Sequence, residues 1–532
     1  MVFTKVTDGA IATNLNPSFS AAWADYDKDG FVDLFVGNSF GNRNSLFRNN
    51  TDGTFTQVTN TAPANLASDS AGAAWGDLDN DGFPDLFVAS WSDPAQDRLF
   101  RNDGKGGFTR ITTGTIVNDS GPGLGVALVD FDNDGLLDVS VANAMGVSEY
   151  LHRNTGNLSF QSLRTGPFVT SGGASHGLAW SDVDGDGDQD VLLGDGDGKN
   201  LLFVNAGGGV LAVLRESPLS RRSAPTRGVA FGDVDNDGRP DAVTASGDGA
   251  LHLYRNRGQA EFVLDLESGL SETPGEFASP SFADVDNDGH LDLVVTSLWG
   301  NPNRLYRNLG DGRFSRDQDS LIASEGGRSY GAAWGDYDND GFMDLFVANA
   351  SPDPNGIEKS RSFLYHNDGG GAPNPPAWVK FVLVGGVSNR SAIGAKVFVL
   401  ADVDGTGSPI WQMREISGGD GWAQQSDPRP NFGLGQALKV ERVKIHWPSG
   451  IIQELPGPAP RTIHTLIEPP LLEIDRNRMI RVRGARDLDH TIEASENLDR
   501  WTSVGIVKGG QTWQAPGGDS LHDRFYRASV AP

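Results

Sequence analysis

Apolar residues in most of this chain come in short runs flanked by glycine, asparagine or aspartate, and the runs return at an even interval. Leu34-Phe-Val36, Leu86-Phe-Val88, Val191-Leu-Leu193, Leu293-Val-Val295 and Leu345-Phe-Val347 are too short for amphipathic helices and rich in β-formers, which predicts buried strands. A segment of small apolar residues precedes such runs, as in Ala21-Ala-Trp23, Gly72-Ala-Ala-Trp75, Gly177-Leu-Ala-Trp180 and Gly331-Ala-Ala-Trp334. A third strand follows with a leucine, aromatic, basic, asparagine signature: Leu46-Phe-Arg-Asn49, Leu99-Phe-Arg-Asn102, Leu253-Tyr-Arg-Asn256, Leu305-Tyr-Arg-Asn308 and Leu364-Tyr-His-Asn367. After a glycine turn a fourth strand opens on an aromatic residue, as at Phe55, Phe108 and Phe314.

Between the first and second strands of every period lies the pattern D-x-D-x-D-G-x-x-D. It occurs seven times, its leading aspartates 51 to 53 residues apart. Four strands in about 52 residues make one blade, so the expected fold is all-β, a seven-bladed β-propeller followed by further β-rich domains. Alternate carboxylates, a glycine at the sixth position and a free carbonyl at the seventh form the oxygen-only shell that a cation of calcium size prefers. The expected side-chain ligands are Asp25, Asp27, Asp29 and Asp33; Asp77, Asp79, Asp81 and Asp85; Asp130, Asp132, Asp134 and Asp138; Asp182, Asp184, Asp186 and Asp190; Asp233, Asp235, Asp237 and Asp241; Asp284, Asp286, Asp288 and Asp292; and Asp336, Asp338, Asp340 and Asp344. The seventh-position carbonyls belong to Phe31, Phe83, Leu136, Asp188, Arg239, His290 and Phe342. Carboxylates within about 5 Å of one another repel by roughly 3 kcal/mol per pair at an effective dielectric near 20, so the loops call for a cation. The expected cofactor is Ca2+, about seven ions, mainly structural.

Ring closure leaves its own trace. Where the seventh period should have a fourth strand, the chain reads Gly369-Gly-Gly-Ala-Pro-Asn-Pro-Pro376, which cannot make one. Phe3-Thr-Lys-Val6 is a fourth strand with no blade before it, and its expected place is at the edge of blade seven.

The chain carries 70 acidic against 43 basic residues, a formal charge of −27, which argues against a nucleic-acid partner. Twenty-eight of the acids are loop aspartates, and seven divalent ions would cancel about half of the net charge. The absence of cysteine excludes disulfides and thiol chemistry, and no apolar run is long enough to span a membrane. The sequence opens inside a repeat, so a secretory signal is expected to be missing by nature or to have been removed.

The repeats resemble FG-GAP or VCBS repeats over residues 1 to about 372. Asn389-Arg-Ser-Ala-Ile-Gly394, Arg414-Glu-Ile-Ser-Gly-Gly419, Asn431-Phe-Gly-Leu-Gly435 and His446-Trp-Pro-Ser-Gly450 then resemble the ASPIC/UnbV domain of cartilage-acidic-protein-like secreted proteins. Thr491 to Trp501 and Arg524-Phe-Tyr-Arg527 look like a small terminal β-sandwich module. The expected domains are 1–375, 376–470 and 471–532, and the resemblance implies an extracellular or periplasmic protein.

Six residues before each leading aspartate stand Phe19, Ala71, Leu124, His176, Arg227, Ala278 and Tyr330, expected to ring the mouth of a central funnel on the face opposite the acidic loops. His176, Arg227 and Tyr330 are the catalytic candidates there, as a base, a charge clamp and an acid. Longer loops on that face supply Trp91, Asp93, Trp299, Asn301 and Asn349 as ligand-binding candidates. Two functions fit: a non-catalytic binding protein for a protein or glycan, or a lyase, dehydratase or isomerase working in the funnel. Ser417-Gly-Gly-Asp-Gly421 reads as a turn.

Overall fold

The computed structural model describes residues 3–530 apart from 93–95, 199, 222–224, 248, 271–274, 351–360, 372–373, 475–478, 496–499 and 515–524. Small residues dominate the first strand of each blade because these strands crowd one axis. They are Ser18–Ala24, Ser70–Gly76, Gly123–Val129, Ser175–Ser181, Thr226–Gly232, Phe277–Ala283 and Ser329–Gly335. Each packs against the first strand of the next blade, and the seventh packs against the first, so the blades form a ring. A bulge interrupts every one of these strands near its start. Glycine at the bulge lets backbones meet: a β-carbon on Gly228 would lie 2.4 Å from the Ala278 carbonyl oxygen.

Six blades contain four consecutive antiparallel strands, and the seventh is completed from the start of the chain. Phe3–Lys5 pairs with Phe363–Asn367, in the register Phe3 to Asn367, Thr4 to His366 and Lys5 to Tyr365. Phe3 is buried beside Trp334, and the Lys5 ammonium lies 3.0 Å from Glu325.

The asparagine that ends each third strand stitches neighbouring blades together. Its side-chain amide donates to the carbonyl of the second loop residue in the preceding blade: Asn49 to Tyr337, Asn102 to Tyr26, Asn154 to Leu78, Asn205 to Phe131, Asn256 to Val183, Asn308 to Val234 and Asn367 to Val285, at 2.7 to 2.8 Å. The ninth-position aspartate locks the same corner from within. One Asp85 oxygen accepts the Asn102 N–H at 2.8 Å and the other the Leu78 N–H at 3.1 Å, and all seven blades repeat this arrangement.

Beyond the ring, Ala377–Val384 pairs with Asn431–Gly435 and, in parallel, with Thr462–Ile467. Lys396–Ala401 pairs with Ile410–Glu415 and Arg442–His446, and the latter with Ile452–Pro456. The core of this second domain runs into blades two and three without a break, Ile393, Val397 and Phe381 clustering with Leu78, Leu128 and Leu137. Residues 471–530 add two three-stranded sheets around Val482, Ile492 and Val507.

Replacing Asn256 with alanine orphans the buried carbonyls of Val183 and Pro240, 2.8 and 3.1 Å from its amide. The expected loss is about 2–3 kcal/mol, read as a lower melting temperature with unchanged far-UV circular dichroism.

Candidate metal centres and the plugged propeller axis

Each acidic loop is wound around its own carboxylates. The leading carboxylate accepts the N–H groups of positions five and six in blades one, two, three, five and six, as in Asp77 with Asp81 at 2.9 Å and Gly82 at 2.7 Å. The fifth-position carboxylate accepts the N–H of position seven in all seven blades, which leaves that residue's carbonyl free of the turn. The third-position aspartates Asp27, Asp79, Asp132, Asp235 and Asp286 each keep one buried oxygen without a hydrogen-bond partner. Trios such as Asp25, Asp27 and Asp29, or Asp77, Asp79 and Asp85, bring ligand atoms within 4.8 Å of one another. One unpartnered buried oxygen in each of these five loops, with carboxylate oxygens of alternate residues beside it, fits a hard divalent cation, which the loops would hold through side chains and one carbonyl.

Burial, reinforced by neighbouring carboxylates, raises nine of the loop acids far above the ordinary range. Asp33 is pushed up to about 9, Asp85, Asp190 and Asp241 to about 8, and Asp77, Asp130, Asp233, Asp288 and Asp340 to about 7. The basic residue of the third-strand signature leans back over its loop as a counter-charge. Arg101 lies 2.6 Å from Asp79, and Arg255 and Arg307 lie 3.4 and 3.5 Å from Asp235 and Asp286.

The face that carries the loops is also where the second domain sits. Lys380, fully buried, pairs with Asp336 and lies 3.9 Å from Asp427. Lys396 is 2.9 Å from Asp182, and Arg414 is 4.0 Å from Asp284, whose outer oxygen also accepts the Gly433 N–H at 3.1 Å. Arg429 joins Asp427 to the carbonyls of Gly30 and Asp336.

From this face a hairpin of the second domain runs into the axis of the ring. Leu128 N–H donates to the Gly418 carbonyl at 3.0 Å, Leu178 N–H to Gly421 at 3.1 Å and Ala21 N–H to Ala423 at 3.2 Å. On the way back Gln424 bonds Ala332 and Pro280, and Gln425 holds both the N–H and the carbonyl of Trp75 at 2.7 and 2.9 Å. Ser426 and Asp427 then bond the backbone of Trp334. Gln424 and Gln425 pair in parallel with Ala21 and Ala22 as a fifth strand of blade one.

The hairpin corrects the expectation of an open funnel. Trp422, at its tip, packs edge-on against His176 at 5.4 Å and Tyr330 at 5.2 Å, and clusters with Ala71, Leu124, Ala278 and Phe19. His176 is held neutral by burial, its pKa pushed down to about 4, and its Nδ1 lacks a partner. Arg227 donates to the Phe277 carbonyl, and Tyr330 lies edge-on to Phe19 at 4.5 Å. The three catalytic candidates do gather at one end of the channel, around an indole that belongs to the chain itself. The other rim candidates separate. Asn349 is buried inside blade seven, bonded to Ser329 and the Arg361 carbonyl, so it is no surface ligand. Trp91 is half-buried against the Trp422 cluster, Asn301 is exposed, and Asp93 lies outside the described residues. Trp299 stands 58% exposed with Arg328 stacked 3.7 Å over its ring.

Sequence reasoning missed the hairpin and two further rim residues, Phe40 and Met145, which are 51% and 71% exposed. Phe40, Met145 and Trp299 occupy equivalent turns at φ 55°, 59° and 61°, each followed by a glycine, and this large-apolar-then-glycine pair was the available signal.

Two outcomes follow from this geometry. In EDTA the folded chain, with its raised carboxylate pKa values, binds more protons than the unfolded chain between about pH 4 and 9. Ion-free stability therefore falls as pH rises through that window. Saturating Ca2+ keeps the carboxylates ionised and contributes about 2.7 kcal/mol per site at a hundredfold excess over Kd, so thermal melts at several pH values should diverge most in alkali. Trp422→Ala should cost about 3–5 kcal/mol and expose His176 to acylation by diethyl pyrocarbonate, followed by peptide mass spectrometry.

The FG-GAP-like repeat model matches residues 25–88, 81–141, 130–193, 182–244, 233–295 and 284–347, and the model described as ASPIC and UnbV matches 385–471. The chain is similar to Cartilage acidic protein 1 of Mus musculus, 24% identical over 499 residues that cover 84% of this chain and 74% of the relative. Cartilage acidic protein 1 of Xenopus tropicalis is 25% identical over 509 residues, covering 85% and 74%. Among solved structures, the BP39L lectin of Burkholderia pseudomallei gives a TM-score of 0.43 at 15% identity, covering 63% of this chain and 93% of that one. Seven looped blades and a second domain that begins where they end place this chain in the FG-GAP-like repeat family, in the branch that carries an ASPIC and UnbV domain.

Proposed function

We propose that this is a calcium-stabilised, extracellular or periplasmic binding protein that recognises a protein or glycan on the face of the propeller opposite its acidic loops. The observation that carries this reading is the Trp422 hairpin. It fills the end of the channel where His176, Arg227 and Tyr330 gather, so among the described residues a small substrate has no open funnel beside those side chains. Around the closed mouth, Phe40, Met145 and Trp299 project from tight turns. A left-handed backbone at a large apolar residue costs about 1 kcal/mol or more, and a partner that buries the side chain offsets it. The turns themselves are rigid, since the following glycines donate to Asp69, Gly173 and Gly327 of the next blade at 3.1, 2.7 and 2.9 Å. Calcium loops of the low affinity that extracellular modules have, with Kd values of roughly 10⁻⁴–10⁻³ M, would be filled outside the cytoplasm, which supports that location. Among the described residues no helix is long and apolar enough to cross a membrane.

An array of glycans and extracellular proteins, probed in millimolar Ca2+ and read for retention and for product, tests the proposal. The triple substitution Phe40→Ser, Met145→Ser, Trp299→Ser should lower retention at least tenfold without moving the melting temperature. Undiminished retention, or release of a chemically altered ligand, would overturn it.

A further inference from the structure

Blade seven breaks the charge pattern of the other loops. Where Arg48, Arg101, Arg153, Arg255 and Arg307 stand in blades one, two, three, five and six, the third strand of blade seven has His366. A guanidinium can serve a carboxylate cluster only as a counter-charge, whereas an imidazole can lose its proton and donate a lone pair to a metal. His366 Nδ1 lies 3.0 Å from an Asp344 oxygen and 3.8 Å from an Asp338 oxygen, and the three ligand atoms fall within 4.8 Å of one another. Ligand atoms at about 2.1 Å from one ion stand roughly 3.0 Å apart when they meet at a right angle. A second counter-charge comes from the other domain, where Lys380 pairs with Asp336, and the hydrogen bond between His366 Nδ1 and Asp344 at 3.0 Å is the contact an ion would replace. A second observation points the same way. The other Asp336 oxygen, on a side chain with no solvent exposure, has no hydrogen-bond partner, although its counterparts in five other loops accept the N–H of position five.

We propose that the blade seven loop is a distinct metal site in which His366, Asp338 and Asp344 bind a first-row transition-metal ion such as Zn2+, Mn2+ or Co2+ in preference to Ca2+. Calcium takes oxygen ligands, while mixed imidazole and carboxylate sets favour the transition metals. The site lies where the ring is closed, since His366 is paired with Thr4 of the N-terminal strand, and an ion there would fix the strand that this closure rests on. At 25% exposure the imidazole is open to an incoming ion.

The test uses the full chain, stripped with chelator, reloaded with excess Ca2+ and then dialysed against Co2+. One equivalent of Co2+ should remain, with visible absorption bands of nitrogen and oxygen ligation, and His366→Arg should weaken its retention more than tenfold. Calcium-dependent thermal stabilisation of His366→Arg should persist, because five other blades already carry arginine there; His366→Gln serves if that variant does not fold. No Co2+ retained over Ca2+, or equal retention and an unchanged spectrum in the variant, would overturn the proposal. Metal retention is read without any ligand on the opposite face, so failure here and failure of the binding function are separable.

Discussion

Like charges forced together in a partly dry corner are the constraint on which this structure turns. Every blade places four aspartates where its first two strands meet, and the ninth-position carboxylate is buried in all seven. That residue is needed for the fold whatever else it does, because its oxygens hold the second loop residue and the start of the turn after the third strand. The asparagine beside it reaches across to the preceding blade, so loop geometry is transmitted around the ring. A cation that neutralises the loop thus supports both the blade and the joint between blades.

The same electrostatics explains how the second domain is seated. Its buried cations Lys380, Lys396 and Arg414 meet the leading carboxylates of blades seven, four and six, and its apolar core joins that of blades two and three. Removing either partner of a pair as buried as Lys380 and Asp336 would leave an uncompensated charge. The two domains are joined by such pairs, by a shared apolar core and by a hairpin along the ring axis, so one face of the ring is committed to internal contacts.

Much of this was legible in the sequence. The period, the loop motif and the displaced fourth strand at Phe3 all lie in local spacing, and strand alternation converts spacing into topology. What was not legible depends on residues far apart in the chain. Gly418, Gly419 and Gly421 read as an ordinary turn, yet β-carbons there would lie 2.0, 2.4 and 2.5 Å from Leu128, Val126 and Ser279 atoms, so the glycines are fitted to blades nearly 300 residues away in the case of Leu128. His176 and Tyr330 meet at one end of the axis, but their neighbour Trp422 comes from another domain, and no pattern near either residue announces it. Phe40 and Met145 are isolated apolar residues in loops, and all that marks them in the sequence is the glycine that follows each, the trace of their shared left-handed backbone.

The most direct measurement is long-wavelength anomalous diffraction from crystals of the full chain grown in Ca2+. Anomalous peaks are expected centred among the first, third and fifth aspartates of the acidic loops, with the seventh-position carbonyl turned toward each ion. Loops that stay empty at saturating Ca2+, with their carboxylates paired only to protein groups, would contradict this.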